Sequence, residues 1–368
     1  MVRTKTDVED KLYVASQWRL MARKFTRHKL AVVGGIVLGI YYFLALFAEF
    51  FQTYDAFLRF PDHIYAPPTK VHFVHEGRLH LQPFVYGLTP SRDPESLRRI
   101  YTEDQSIVYP IRLFVRGSDY KLWGLIRSNV HFLGTDGGQL FLFGTDNLGR
   151  DMFSRNISGA RISLTIGLVG VALSFILGCL LGGISGYYGG PVDNVIQRVI
   201  EFLLSLPTIP LWMGLSAALP PDWSPLKVYF GITIILAVRG WCGLARVVRG
   251  KILELRQEDF TMAARIAGAN DMSIITRHLL PGFLSYLIVS LTLAIPYMIL
   301  GETALSFLGL GLRPPIVSWG VLLKEAQNFR TVSLHPWLLL PGLSVIIVVL
   351  VFNFLGDGLR DAADPFNR

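Results

Sequence analysis

The chain has 368 residues, a mean hydropathy of +0.43 and only 17% charged residues, which is too apolar for an ordinary soluble domain. Its formal net charge is +8, and much of the basic excess flanks the apolar runs. Positive charge at the cytoplasmic ends of membrane spans explains this excess more simply than nucleic-acid binding, so we expect no nucleic-acid partner.

Six runs of the sequence are candidates for membrane spans. An α-helix needs roughly 20 apolar residues to cross a hydrocarbon core of about 30 Å, because each residue adds about 1.5 Å. The runs are Leu30–Phe51, Ile162–Ile184, Val195–Leu219, Val228–Val248, Leu284–Leu305 and Trp337–Leu355. We therefore predict an all-α polytopic membrane protein with six transmembrane helices and both termini in the cytoplasm.

The N-terminal segment, residues 1–29, is basic and is expected to lie in the cytoplasm. The apolar run that follows, residues 30–51, is too long for a cleavable signal, so we interpret it as an uncleaved anchor and first transmembrane helix. Within the basic segment, Leu12, Trp18 and Met21 would share one face of a short helix at the membrane surface. A frayed basic tail is an equally good interpretation.

Residues 52–160 separate the first two spans and contain prolines, aromatic residues and nearly balanced charge, which predicts a folded extracytoplasmic insertion. The string VHFVHEGRLHLQ alternates apolar and polar residues around Glu76 and Gly77, a pattern typical of a β-hairpin. His72 and His80 would share its polar face, so a metal site is one interpretation. We favour a solvated strand face and expect no metal, because no carboxylate or cysteine stands at ligand spacing. The histidines considered are His63, His72, His75 and His80.

The loop between the fourth and fifth spans, residues 249–281, carries the most specific signal. It lies within a predicted five-helix transmembrane core, residues 161–356, which a cytoplasmic tail at 357–368 follows. Asp259 is expected to cap a short helix at the start of this signal. Apolar or small residues fall on one face of that helix at spacings of three and four: Phe260, Ala263, Ala264 and Ala267.

Gly268 interrupts this helical pattern, and we expect it to adopt a left-handed backbone conformation, which glycine reaches freely. Asn270 or Asp271 then caps a second helix that is expected to end at Pro281. A two-turn helix is too short to be stable alone in water. Its apolar face therefore indicates either docking in a partner's groove or packing on the protein's own membrane surface, and the pattern favours neither.

The string MAARIAGANDMSIITRHLLPG resembles the coupling motif of ABC importer permeases. In that motif Glu-Ala-Ala is followed by three residues, a glycine, and a segment that ends in Leu-Pro. The residues at those spacings here are Ala263, Ala264, Gly268, Leu280 and Pro281. Met262 replaces the usual glutamate, and His278 resembles the version found in the dipeptide and oligopeptide branch.

Four further segments resemble the same branch, in the same order along the chain. They are GTDNLGRDMFSR at Gly144–Arg155, GYYGGPVD at Gly186–Asp193, GETALSFLGLGL at Gly301–Leu312 and GDGLRDAADP at Gly356–Pro365. The resemblance covers nearly all of the chain after Phe143 and leaves the insertion uncovered.

This resemblance implies a type I ABC importer permease fold in the bacterial cytoplasmic (inner) membrane. It also implies the rest of a machine: a homologous permease subunit, an extracytoplasmic substrate-binding protein, and two ABC ATPase subunits that carry ATP and Mg and grip the coupling loop. The implied function is the import of oligopeptides. Import of oligosaccharides or modified peptides by the same machinery is the alternative.

The chain itself lacks the signals of an enzyme. The string nearest to a phosphate loop, ARVVRGKI, has Ala245 in place of the first glycine and Ile252 in place of the magnesium-binding Ser or Thr. We therefore expect no cofactor on this chain and assign ATP hydrolysis to partner subunits. An intramembrane hydrolase is disfavoured because no histidine lies within a predicted span, and the docking loop argues against a passive channel.

Charged residues and prolines inside the spans are candidates for the translocation path. Arg239 lies deepest and is expected to face the pore or to be paired, since a charge near a helix centre is costly. Glu201 and Glu302 either lie on the translocation path or in an ion pair, or reach interfacial water near span ends, and we favour the second interpretation. Pro207 and Pro296 interrupt helical spans, and their bends either shape a substrate cavity or are purely structural.

Overall fold

The computed structural model describes residues 17–95 and 98–363, with side chains from residue 21 onward. Leu12 and the side chain of Trp18 therefore lie outside the described residues. The helices in chain order are α1 (Gln17–Arg27), α2 (Lys29–Leu46), α3 (Ala48–Phe51), α4 (Met152–Tyr188), α5 (Gly190–Ser205), α6 (Thr208–Ala217), α7 (Pro225–Leu255), α8 (Asp259–Ile266), α9 (Asp271–Ser273), α10 (Leu284–Phe307), α11 (Trp319–Leu323), α12 (Phe329–Leu334) and α13 (Leu340–Ala363).

Among the described residues, five helical segments are long and apolar enough to cross a membrane, and a bent pair brings the number to six if it counts as one span. The five are Lys29–Leu46, Met152–Tyr188, Pro225–Leu255, Asp271–Phe307 and Pro336–Ala363. The protein is thus mostly helical, as the apolar runs predict. The last helix reaches Ala363, so residues 357–363, which the sequence assigned to a tail, continue α13.

The third predicted span, Val195–Leu219, is not one straight helix. It is divided into α5 and α6, whose axes differ by 91°. Leu206 has an extended backbone, with φ −80° and ψ 133°, because the ring of Pro207 disfavours a helical residue before it. Pro207 also lacks the N–H that a continuous helix would need. The interruption of this span that the sequence predicts at Pro207 is therefore confirmed.

The second loop helix does not end at Pro281, contrary to the expectation from sequence. The helical path runs from Asp271 to Phe307 through a π-helical segment, Ile274–Leu279, and a 3₁₀ segment, Leu280–Phe283. The N–H of Leu280 donates to the carbonyl of Ile275, one residue further back than in an α-helix. Pro281 then falls in the first turn of the 3₁₀ segment, where its missing N–H is not needed.

In the described ranges, the insertion contains a four-stranded antiparallel sheet in the order β1-β2-β3-β4. The strands are β1 (His72–His75), β2 (Arg78–Arg92), β3 (Arg99–Leu122) and β4 (Ile126–Thr135). The predicted hairpin is confirmed as β1 and β2, and its turn places Glu76 and Gly77 at positive φ, +48° and +74°. α4 begins at Met152, within the range that the sequence assigned to the insertion.

The described part of the chain divides into two compact units. The first takes in residues up to Gly39, Ile166–Glu302, and the chain from Ile347 onward; the second takes in Ile40–Thr165 and Thr303–Ile346. One buried cluster of the first unit consists of Cys179, Tyr187, Val248, Ile252, Ile274, Ile275, Leu279, Phe283 and Leu287. A cluster of the second unit consists of Val85 on β2, Ile111 on β3, and Leu140.

Within the first unit, α4 and α7 approach closely along a stripe of glycines. Gly178, Gly182 and Gly186 follow one another at four-residue spacing on α4. A Cβ on Gly182 would lie 2.5 Å from the carbonyl oxygen of Ala245, and one on Gly186 would lie 2.7 Å from that of Arg249. Small residues at this spacing let two membrane helices pack backbone to backbone. This contact fixes the end of α7, where the loop begins, against the end of α4.

Candidate coupling site

The short helix α8 is closed by a glycine in a Schellman motif. Gly268 has φ +82°, which confirms the expected left-handed conformation. Its N–H donates to the carbonyl of Arg265 at 3.0 Å, and the N–H of Ala269 donates to that of Ala264 at 3.1 Å. These two bonds satisfy carbonyls that the end of a helix would otherwise leave open. The chain turns sharply at this point into the next helix.

The sequence predicts the N-cap of α9 correctly but not the N-cap of α8. Asn270 caps α9 as expected, since its Oδ1 accepts from the N–H of Ser273 at 2.7 Å. Asp259 does not cap α8: Glu258 occupies the N-cap with an extended backbone, and Asp259 is the first helical residue. A carboxylate in the first turn is still favourable there, because it faces the positive end of the helix dipole.

The inner side of α8 carries a polar residue and a small residue. Thr261 is fully buried, and its hydroxyl donates to the carbonyl of Leu255 at 2.9 Å. Ala264 and Ala269 are half-buried and pack on the cluster that contains Val248 and Ile274. Ala264 therefore belongs to the inner side, so the expectation that it shares a face with Phe260, Ala263 and Ala267 is wrong: it lies three residues from Thr261 and turns inward with it.

The outer side of α8 is apolar and exposed. Ile266 is 87% exposed and Met262 is 50% exposed, and the predicted Phe260 is 45% exposed. Ala263 and Ala267 are exposed as well. Sequence reasoning missed Ile266, although its four-residue spacing from Met262 places both on one side of a helix.

Tyr187 joins the loop to the end of α4. Its hydroxyl donates to Asp271 Oδ1 at 2.9 Å and accepts from Arg265 Nη2 at 3.2 Å. The Arg265 guanidinium also lies 5.6 Å from the centre of the Tyr187 ring, within the range of a cation–π contact. One side chain of the GYYGGPVD segment thus contacts both loop helices. The sequence presented the two segments only as separate resemblances.

Two arginines from the end of α7 hold the same segment. Arg249 donates from Nε and Nη2 to the two carboxylate oxygens of Asp193 at 2.6 and 2.5 Å. Arg256 donates from Nη1 to the carbonyls of Gly186 and Tyr187, both at 3.2 Å. A two-pronged arginine–carboxylate contact fixes orientation as well as distance. These residues were not predicted from sequence, where they appear only as charges near span ends.

The other predicted residues of the loop lie at its exit. His278 and Pro281 are exposed, and Leu280 is half-buried against the apolar cluster of the first unit. None of the three contributes to the outer side of α8, since they lie on the π-helical and 3₁₀ segments that lead into α10.

The residues predicted for the translocation path lie in different helices. Arg239, on α7, is half-buried and donates from Nη2 to the carbonyl of Leu204 at 3.4 Å, in the last turn of α5. Its positive charge therefore lies at the negative end of α5, just before the bend at Pro207. Pro296 lies inside α10. Glu302 is fully buried, so the expectation that it reaches interfacial water is wrong; Glu201 is half-exposed and pairs with Arg198.

The GTDNLGRDMFSR segment forms a buried polar cluster in the second unit. Asp146 accepts from Arg150 Nε at 2.7 Å and from Arg155 Nη1 at 3.0 Å. Asp151 Oδ2 accepts from both the N–H and the hydroxyl of Ser154, at 2.8 and 2.6 Å, which caps the start of α4. Burial raises the pKa of Asp151 to about 6. This cluster positions the start of a span.

The histidines of the insertion make contacts within the protein. His72 Nε2 lies 3.2 Å from Glu103 Oε2, and His75 Nδ1 lies 2.9 Å from the hydroxyl of Tyr86. His63 is buried, and its Nε2 lies 3.2 Å from the carbonyl of Leu88. The ring of His80 lies beside that of His75, with 6.2 Å between centres. Across residues 17–95 and 98–363, no group of three or more His, Cys, Asp or Glu is placed to hold a metal ion.

Comparison with known proteins identifies the family. The family model described as the inner membrane component of binding-protein-dependent transport systems matches residues 174–368. A second model, described as the N-terminal TM domain of oligopeptide transport permease C, matches residues 16–68.

Several curated relatives resemble this chain. The dipeptide transport system permease protein DppC of Bacillus subtilis is 40% identical over 224 residues, which is 61% of this chain and 68% of that protein. The oligopeptide transport system permease protein OppC of the same organism is 37% identical, over 61% and 71% of the two chains. The glutathione transport system permease protein GsiD of Pectobacterium atrosepticum is 40% identical, over 60% and 71%.

Among solved structures, an inward-facing MetNI methionine ABC transporter aligns with 57% of this chain and 97% of its own, at 19% identity and a TM-score of 0.43. The sequence matches, together with the apolar helices, make this a multi-pass membrane protein. The chain therefore belongs to the inner membrane components of binding-protein-dependent transport systems, and its resemblance to the dipeptide and oligopeptide branch is confirmed.

Proposed function

We propose that this chain is the permease subunit of an ABC importer and, with a homologous permease, forms the translocation path for oligopeptides. The observation that carries the proposal is the outer side of α8, an apolar surface held rigidly on the ends of α4 and α7. Relatives named for the transport of dipeptides, oligopeptides and glutathione favour a peptide substrate over the oligosaccharide alternative.

The outer side of α8 is the surface that docks in a groove of an ABC ATPase subunit. An eight-residue helix is unstable alone, yet here it has a buried inner side, a Schellman motif and a tyrosine contact that fix it. Its exposed Phe260, Ala263 and Ile266 follow one another at three-residue spacing, and Met262 lies four residues before Ile266, which is the pattern of an amphipathic helix that binds in a groove. Movement of the ATPase would reach α4 through the contact of Arg265 with Tyr187, and α7 through the hydrogen bond from Thr261 to the carbonyl of Leu255.

ATP and Mg bind to two such ATPase subunits, and this chain hydrolyses no ATP. An extracytoplasmic binding protein delivers the substrate. The type I permease fold, with six spans, is the arrangement that fits five long helices and one bent pair. Proteoliposomes that contain both permeases and both ATPases should take up labelled peptides only with the binding protein and ATP. Uptake of oligosaccharides with no uptake of peptides would overturn the substrate, and ATP hydrolysis by this chain alone would overturn its role.

Both termini lie in the cytoplasm, and the sheet of the insertion lies outside the membrane on the opposite side. The basic residues before α2 and in the loop after α7 support this orientation. Ser91 is exposed on β2 and suits a test. An impermeant thiol reagent should label Ser91→Cys in intact spheroplasts, and protection until lysis would reverse the orientation.

Arg239, Pro207 and Pro296 belong to the translocation path. Arg239 stabilises the end of α5 at the Pro207 bend, so the bend keeps its angle while substrate passes. Arg239→Gln should lower peptide uptake several-fold while the complex still assembles. Unchanged peptide uptake by Arg239→Gln would contradict a role for Arg239 in the translocation path.

A further inference from the structure

The turn between β3 and β4 holds a tryptophan in an uncommon conformation. The N–H of Gly124 donates to the carbonyl of Lys121 at 3.1 Å, and that of Leu125 donates to Leu122 at 3.0 Å. Trp123 and Gly124 both have positive φ, +53° and +73°. Glycine accepts this geometry freely, whereas a bulky residue adopts it only with strain. The turn therefore displays an aromatic side chain where Asn or Gly is usual.

The tip of this hairpin is apolar, and its base is cationic. Leu125 is 82% exposed, Ile126 56% and Trp123 46%. Lys121 and Arg127 are direct cross-strand partners, and both are exposed. Two like charges facing each other are unfavourable unless anions lie nearby. We call Lys121 and Arg127 the cationic collar of the tip. An apolar tip next to two cations suits the boundary between the acyl chains and the headgroups of a phospholipid bilayer.

The tip lies at the end of the first span. Trp123 Nε1 donates to the carbonyl of Leu46, the last residue of α2, at 2.7 Å. The rings of Trp123 and Phe47 lie 5.4 Å apart. Phe43 and Leu46, on the last turn of α2, are each 53% exposed, so the apolar tip continues the surface that α2 presents to lipid. Tryptophan is enriched at this depth in membrane proteins.

We propose that the hairpin tip, Lys121–Arg127, inserts into the bilayer leaflet at which α2 ends. Trp123, Leu125 and Ile126 lie among the upper acyl chains, and Lys121 and Arg127 bind phospholipid phosphates. The sheet of the insertion is thereby held at the membrane surface as well as by its chain connections. This inference concerns membrane contact only, so it stands or fails independently of the transported substrate.

The test measures the depth of the tip in a bilayer. Leu125→Cys, in a chain with Cys179→Ala and Cys242→Ala, is labelled with an environment-sensitive fluorophore; both native cysteines are buried. The full chain is placed in nanodiscs that carry nitroxide quenchers either on headgroups or along acyl chains. Ser91→Cys is the matched reference, because it pairs with Ile100 at the other end of the 24-residue β3. Ile126→Cys supplies a second reporter if the first variant folds poorly.

We expect blue-shifted emission and at least severalfold stronger quenching at position 125 than at 91, from the acyl-chain and the headgroup quenchers alike. Water-like emission and equal quenching at the two positions would overturn the proposal. It would also be overturned if the label at 125 became shielded only when the second permease or the binding protein was added, since the tip would then be a protein-binding surface.

The cationic collar has its own test. Near an anionic membrane surface, each added cation strengthens binding by roughly fivefold. The double variant Lys121→Gln/Arg127→Gln should therefore abolish the extra quenching at position 125 that phosphatidylglycerol produces over phosphatidylcholine. Persistence of that lipid dependence would show that the two cations do not contact phosphates.

Discussion

The hydroxyl of Tyr187 donates a hydrogen bond to Asp271 Oδ1 at 2.9 Å and so ties the end of α4 to the start of the second loop helix. Arg265, from α8, donates to the same hydroxyl. The loop is consequently oriented by a membrane helix that lies far from it in sequence. A force applied to α8 would be transmitted to α4 through these contacts, without passing along the intervening chain.

Loss of the acceptor at Asp271 should weaken coupling. Asp271→Ala removes a bond to a charged group worth at most about 1.5–3 kcal/mol, less where the carboxylate is partly exposed, so we expect a several-fold fall in substrate-stimulated ATP hydrolysis. Asp271→Asn keeps an oxygen acceptor and should retain most activity. The measurement is ATPase stimulation in the reconstituted complex. Equal activity of Asp271→Ala and wild type would show that the tie is dispensable.

Gly268 should tolerate only residues that reach a left-handed conformation. An added Cβ would meet no described atom within 4 Å, so any effect comes from the backbone at φ +82° and not from a clash. Strain of about 1–3 kcal/mol could reduce productive docking by one to two orders of magnitude in Gly268→Val. Gly268→Ala should do less damage, and Gly268→Asn should approach wild type.

The control for Gly268 is Gly250→Ala on α7, which also has no described atom within 4 Å of an added Cβ but lacks a positive φ. Uptake and ATPase stimulation should fall together in Gly268→Val and stay normal in Gly250→Ala, at matched expression. Normal coupling by Gly268→Val would contradict the role of the Schellman turn.

Gly182 should be intolerant even of alanine. Its added Cβ would lie 2.5 Å from the carbonyl oxygen of Ala245, so α4 and α7 would have to separate. We expect Gly182→Ala to lower the unfolding midpoint in detergent by several degrees. Gly243→Ala, on α7 with no described atom within 4 Å of the new methyl, should be neutral or slightly stabilising. Equal midpoints for the two variants would refute the close contact.

The buried Asp151 should give the protein a distinctive pH dependence. Its pKa in the folded state, about 6, is above the roughly 3.9 of an unfolded chain, so the folded state binds this proton more tightly. Stability from this group is therefore fully present below about pH 4 and is lost as pH rises through 6. Asp151→Asn removes the titration and retains a residue that caps helices well.

From pH 4 to pH 7.5, the stability of Asp151→Asn relative to wild type should rise by up to about 3 kcal/mol. Thermal unfolding of both proteins across this range measures the difference. A constant offset between them at all pH values would mean that Asp151 does not titrate in this window.

The sequence predicts well what local patterns control. Apolar runs give the helices, Glu76 and Gly77 give a hairpin turn, and Gly268 gives the left-handed turn, because each depends on neighbours in the chain. Pro207 correctly predicts a bend in the third span, because a proline lacks the N–H that a continuous helix needs. Pro281, by contrast, predicts a helix end that the structure does not have. The π-helical turn before it lets the helical path continue without the N–H that proline lacks.

Contacts between segments that lie far apart in the sequence cannot be predicted from local patterns. Nothing local pairs Asp193 with Arg249 or Tyr187 with Asp271, because the first pairing joins α5 to α7 and the second joins α4 to α9. Ala264 turns inward for the same reason: the apolar cluster beneath it includes residues of other helices. Only the first hairpin of the sheet could be predicted from the sequence. The pairing of β3 with β4 is interrupted by a register shift between Arg116 and Tyr120, so apolar and polar residues do not alternate along the whole of these strands.

The most direct test of the account is a charge on the outer side of α8. Ile266 is 87% exposed and supports no contact in the core, so Ile266→Asp should leave folding intact. Burial of an isoleucine in a partner's groove is worth about 1.5–3 kcal/mol, so its loss should reduce binding-protein-stimulated ATP hydrolysis and peptide uptake at least tenfold. Phe329→Asp, equally exposed on α12, is the matched control and should behave as wild type. A complex with Ile266→Asp that assembles, hydrolyses ATP and transports peptides normally would contradict the claim that α8 couples this chain to its ATPase.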